Sequence, residues 1–359
     1  MTNTGVTIAS TTNGANLSQI TVVDNRVRDV TNNGILVSGG ASGMQENVID
    51  VVVAGNTVVD TGLEGILLQG GINGASNNRL MAEIRDNAVQ QTTAGDMNGI
   101  VLGGGVGNAS GNIIDTVIAG NVATDLGLGI VVTGGSDSSS ENTVVFDIRE
   151  NQVQEQGSDF SSGIFLEGGS GASPDNMIAG RVENNTVTNN DEGIVLSAGF
   201  SLAEQNLLMA DVMSNTVQNI GTAGINVIGG WSAASNTIDT LIEDNTVTDT
   251  ETGVFVCSGT TKPRPNNENP STDNLALTQI RNNTVARSSN LDIWVVGGIG
   301  DAGGPVTDNT VESDIVGNQA NTIECEEFIE GNPATCTIQD NINIQSSSAV
   351  KSVQDVAEN

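Results

Sequence analysis

The 359-residue chain contains no histidine and no tyrosine, and its only lysines are Lys262 and Lys351. Without imidazole there is no His-based catalytic triad and no His metal site, which leaves acid–base chemistry to carboxylates. Aromatic side chains are scarce: with Trp231 and Trp294 as the only tryptophans, platforms on which sugars could stack are few. The 11 basic residues stand against 43 acidic ones, a net charge of −32. A surface this acidic repels nucleic acid and anionic membranes, and it accepts acidic polysaccharide only through intervening cations. No stretch is long and apolar enough for a transmembrane helix, and none reads as a signal peptide. Three cysteines are too few for a disulfide framework. Cys325 and Cys336 are placed to pair across the last, irregular repeat or to stand as two free thiols.

What the chain has instead is a beat. Asn25, Asn56, Asn87, Asn121, Asn151, Asn185, Asn215, Asn245, Asn283 and Asn318 follow one another at 31, 31, 34, 30, 34, 30, 30, 38 and 35 residues. A second column, Asn47, Asn78, Asn112, Asn142, Asn176, Asn206, Asn236, Asn274 and Asn309, keeps time with it. Self-similarity at this period marks a solenoid. After each second-column asparagine, aliphatic residues fall at even spacing (Ile49 and Val53, Ile114 and Ile118, Ile178 and Val182), which is one face of a strand. A valine two residues after the first-column asparagine (Val58, Val187, Val217) starts a short second strand, and Gly-Ile pairs such as Gly65-Ile66, Gly163-Ile164 and Gly193-Ile194 open a third. Stacked asparagines can hydrogen-bond from coil to coil. Asparagine and glycine also tolerate the left-handed backbone that sharp corners demand. Length varies where turns lie outside the sheets, as before Gly99 and Gly163.

The N-x-[IV] and G-I-x-[LV] segments, repeated from about residue 5 to 320, resemble the right-handed parallel β-helix of the pectate-lyase-like superfamily. The period gives an all-β solenoid of about ten coils of about 30 residues with three strands each, the resemblance implies its right-handed form, and coils of about 30 residues are long for that family's short repeat. It implies no activity, because the Asp/His or Arg/Lys-calcium clusters of the polysaccharide-cleaving members have no match here. One domain is expected over 1–341, irregular from about 310, with 342–359 as a tail or cap in which Val350 and Val353 share a helical face. Gly5 to Ser10 match the third strand and Asn16 takes the second-column place, so the chain is expected to begin inside a coil. The basic cluster Lys262-Pro263-Arg264-Pro265 belongs to an enlarged corner before Asn274.

Three sets of residues carry the functional expectations. Asp29 beside Asp60, and Asp125 beside Glu155, pair like charges on neighbouring coils, which a calcium ion would relieve. Asp147, Arg181 and Asp211 form one charged row and Arg149 with Glu183 the next, the pattern of cross-strand ion pairs. The middle residue of G-I-x-V should face outward, yet it reads Leu36, Leu67, Val101, Val131, Phe165, Val195, Asn226, Phe255 and Trp294. Strands apolar on both faces are usually covered on both. The expectation is a non-enzymatic structural or adhesive module, extracellular or at the cell surface, calcium-stabilised. It forms a homo-oligomer or filament through this apolar face or through the end coils. The alternative is a polysaccharide lyase, hydrolase or epimerase with an unrecognised carboxylate site; neither reading involves nucleic acid or membrane insertion.

Overall fold

Alternating aliphatic residues every second position favour extended chain, and turn residues at fixed intervals return that chain to its own preceding pass. The computed structural model, which describes residues 4–10, 12–14, 16–91, 98–155, 161–261, 271–300, 305–327, 329 and 331–342, shows the result. It is a parallel β-solenoid of about 9 turns with about 31 residues per turn, and no helix occurs among the described residues. The tail beyond 342 and the Lys262–Pro265 cluster lie outside them.

Three parallel sheets form the walls. Sheet A has 11 strands, from Val6–Ala9 through Ser162–Glu167 to Ile323–Glu326. Sheet B also has 11, from Asn16–Val23 to Ala334–Gln339, and sheet C has 9 short strands, from Arg26–Val30 to Thr284–Ala286. One continuous apolar core fills the lumen: Ile164 and Leu166 enter it from sheet A, Ile178 and Val182 from sheet B, and Val187 from sheet C, all fully buried. Burial of such a side chain stabilises by about 1.5–3 kcal/mol, and the repeat multiplies this without enlarging the cross-section. Phe146 points into the lumen at 2% exposure, and it fits because its register partner is Gly180.

Both asparagine columns are hydrogen-bond ladders, buried except at the exposed Asn25. The side-chain oxygen of Asn185 accepts from the backbone N–H and the Nδ2 of Asn151, both at 2.9 Å. The Asn185 Nδ2 donates in turn to Asn215 Oδ1 at 3.0 Å and to the Ile148 carbonyl at 2.9 Å. Every hydrogen-bonding site of the amide is thereby used, as burial requires. The ladders run one coil further than the sequence columns: Asn318 donates to Asn341 and Asn309 to Asn332, each across 23 residues, because the last coil is short. At the other end Asn16 departs from expectation. Its backbone pairs with Val48, one residue off the column, and the buried Ser10 hydroxyl donates to Asn47 Oδ1.

The corners also differ from the sequence reading. The left-handed residue is not the ladder asparagine but the one before it: Asp24, Gly55, Asp86, Gly120, Glu150, Asn184, Ser214, Asp244, Asn282 and Gly317 all have φ between 53° and 69°. The ladder asparagines keep ordinary backbone so that N–H and side chain point the same way, toward the next coil. The Gly-Ile glycines are not left-handed either. A Cβ on Gly163 would lie 2.2 Å from Val187 Cγ1, and one on Gly40 2.6 Å from Asn78 Nδ2. Glycine there makes room for the valine and asparagine of the coil stacked above.

Candidate functional site

The apolar column is a true ladder on the outer side of sheet A. Leu36 pairs with Leu67, Leu67 with Val101, Val101 with Val131, Val131 with Phe165, Phe165 with Val195, and the row continues through Asn226 and Phe255 to Trp294. Stacking alone covers part of it: Leu67 and Val131 are 8% and 7% exposed and Val195 is fully buried, whereas Leu36, Val101, Phe165, Phe255 and Trp294 are half-buried. Each outward side chain is hemmed in by its neighbours above and below, so a long strip is less open than its composition suggests. Phe255 and Trp294 rings lie 5.1 Å apart, and the Trp294 Nε1 donates to Glu326 Oε1 at 2.9 Å. Asn226 donates to Glu192 Oε1 at 3.0 Å, which seats a polar group within the row.

The next outward column closes sheet A against the outer turn. It runs Ser38, Gln69, Gly103, Thr133, Glu167, Ser197, Ile228, Cys257 and Val296. Its small hydroxyls and thiol donate to the carbonyl of a glycine two residues on, Ser197 to Gly199 at 3.1 Å and Cys257 to Gly259 at 3.1 Å. Burial pushes the Cys257 thiol up to about 12 despite those carbonyl contacts, which makes it inert. Glu167 is the one acid in this column from Ser38 to Val296, beyond which the exposed Glu326 follows. Burial raises its carboxyl from the ordinary 4.5 to about 7, only partly opposed by a hydrogen bond with Ser170. Its Oε1 has no hydrogen-bond partner among the described residues. Nothing in the repeat marked Glu167, because the outer turn that covers it is the variable part of each coil.

The acids proposed for cation binding sit on the corner that leaves sheet C. Asp29, Asp60 and Asp125 all have left-handed backbone, with φ of 54°, 53° and 59°, which asparagine and aspartate tolerate best. Asp29 is exposed and receives a 3.0 Å bond from the Nε of Arg28, while Asp125 receives one of 3.4 Å from Gln90. Glu155, one coil on from Asp125, is buried. No group of three or more metal-ligating side chains gathers among the described residues. Further along the same corner, Arg287 holds both oxygens of Asp249 at 2.6 Å and keeps that carboxyl below the usual range.

On sheet B the charged rows are in register, Asp147 with Arg181 and Arg181 with Asp211. The ion pairs differ from those expected: Arg149 bonds Asp147 two residues back on its own strand, not Glu183 across the sheet. Beside them is a shallow depression of about 450 Å³ on the outer face, lined by Arg181, Met209, Asp211, Asp239, Leu241 and Gln279 above a floor of Gly180 and Ala210. No protein-family model, curated protein or solved structure matches the chain. In the last coil, Cys325 and Cys336 form a disulfide, resolving the alternatives left by the sequence.

Proposed function

We propose that this chain is a non-enzymatic structural module of the right-handed, pectate-lyase-like kind, exposed outside the cell or on its surface, and that copies associate through the outer face of sheet A. The observation that carries this reading is the charge-free row from Leu36 to Trp294 in a chain of net charge −32. Nine positions at about 4.8 Å make a strip of roughly 38 Å. A second copy offers a strip of the same straight profile, and an isologous contact pairs the two. The disulfide agrees with an oxidising compartment. Calcium at the Asp29/Asp60 and Asp125/Glu155 corners would relieve repulsion between coils and complete the module.

Because Val131 is already buried, Phe165 and Phe255 are the residues to change. Phe165→Asp with Phe255→Asp is expected to convert an oligomer to a monomer in analytical ultracentrifugation while amide protection in the core strands persists. A wild-type chain that sediments as a monomer at high micromolar concentration refutes the reading. The depression with Asp211, Asp239 and Arg181 supports a second reading, an acid–base site for polysaccharide. Release of reducing ends or unsaturated products from polysaccharide, abolished by Asp211→Asn, would favour it.

A further inference from the structure

The Cys325–Cys336 bridge lies at the C-terminal end of the core formed by the described residues. Cys325 pairs in register with Val295 and Cys336 with Ser313, both inward-facing and buried, so the two sulfurs meet across the lumen. They join the last strand of sheet A, Ile323–Glu326, to the last strand of sheet B, Ala334–Gln339, over a Cα–Cα distance of 6.4 Å. In earlier coils these two positions hold mostly aliphatic or small side chains, with Phe146 the exception, packed between coils above and below; among the described residues the terminal strands have a hydrogen-bonded neighbour on one side only. Strand residues there are half-buried or exposed, Ile338 at 39%. Apolar packing that holds the middle coils is thus halved at this end, and the bridge substitutes for it. Both cysteines are half-buried, within reach of a small thiol.

We propose that this bridge is a redox lock on the terminal coil: its reduction releases the last strands of sheets A and B and leaves Leu291–Val296 and Thr310–Val316 as unpaired edges. A low-molecular-weight dithiol supplies the two electrons and two protons that convert the S–S bond to two thiols, and is itself oxidised to a cyclic disulfide. Because coils in a solenoid are coupled mainly to their neighbours, opening stops at the next intact coil. The edges so bared are competent to pair with another strand. The state of the bridge therefore decides which strands form the open edge at this end, the bridged Ile323–Glu326 and Ala334–Gln339 or the longer Leu291–Val296 and Thr310–Val316.

The experiment uses the intact chain, with and without dithiothreitol under native conditions, followed by pulse alkylation with iodoacetamide and amide exchange read by mass spectrometry. Alkylation is expected at Cys325 and Cys336 and not at the fully buried Cys257. Closing a loop of 11 residues shifts the opening equilibrium on the order of 100-fold, so exchange in Ile323–Glu326 and Ala334–Gln339 should accelerate by that factor. Strands as far as Thr252–Cys257 should be unaffected. The Cys325→Ser/Cys336→Ser double variant should reproduce the reduced pattern without reductant. Unchanged exchange in the two terminal strands overturns the proposal, and so does acceleration along the whole solenoid or labelling of Cys257.

Discussion

Replacing Glu167 by glutamine should stabilise the protein, and by an amount that depends on pH. Glu167 is 8% exposed, and burial raises its carboxyl from the ordinary 4.5 to about 7. An acid raised on folding contributes stability that is fully present below about pH 4.5 and is lost as pH rises through about 7, because the unfolded chain gives up the proton first. That rise corresponds to about 3 kcal/mol, at 1.36 kcal/mol for each factor of ten in the acid's dissociation constant. Glutamine keeps the shape and carries no proton to lose, and the same column already accepts Gln69. The difference between Glu167→Gln and wild type should therefore be near zero at pH 4.5, grow between about 4.5 and 7, and level off near 3 kcal/mol above pH 8. For a chain of this length that is roughly 4 °C in melting temperature. Comparing the two proteins at each pH cancels the repulsion among the other acids, which changes over the same range. A difference independent of pH, or a variant less stable than wild type at pH 8, would refute the assignment of Glu167 as a buried, strained carboxyl.

Asn185→Ala removes an amide that serves four hydrogen bonds and strands its partners on Asn151 and Asn215. The expected cost is about 3 kcal/mol or more in denaturant unfolding, with amide exchange accelerating first in the adjoining coils. Gly163→Ala forces a methyl against Val187 and the Gly193 carbonyl and should cost about 1–3 kcal/mol. Val187→Ala in the same chain should recover part of that loss, and no recovery would mean that space is not the reason for the glycine. If the corner acids hold calcium, a chelator lowers the melting temperature of the wild-type chain and leaves Asp29→Asn/Asp60→Asn/Asp125→Asn/Glu155→Gln unaffected; equal curves with and without chelator would leave these residues as turn formers.

The repeat determined the strands, the three walls and the inward faces before any coordinates, because a solenoid brings homologous positions together. Once Asn151, Asn185 and Asn215 are known to recur, stacking follows, and so does the fit of Phe146 over Gly180. Other features depend on atoms from adjacent coils or from the outer turn, whose distances no period encodes. Glycine at Gly163 looks like a flexible corner in sequence, but in the folded chain it yields space to Val187. The left-handed residue is Asn184, not Asn185, since the ladder requires the N–H and the amide of Asn185 to face one way. Arg149 turns to Asp147 because that carboxylate lies on the same face of its own strand, two residues away. Sequence alone marked the row from Leu36 to Trp294 as apolar; stacking decided that Val195 is buried and Phe165 only half so. The charge state of Glu167 and the bond between Cys325 and Cys336 were decided last, by how the outer turn and the terminal coil close over them.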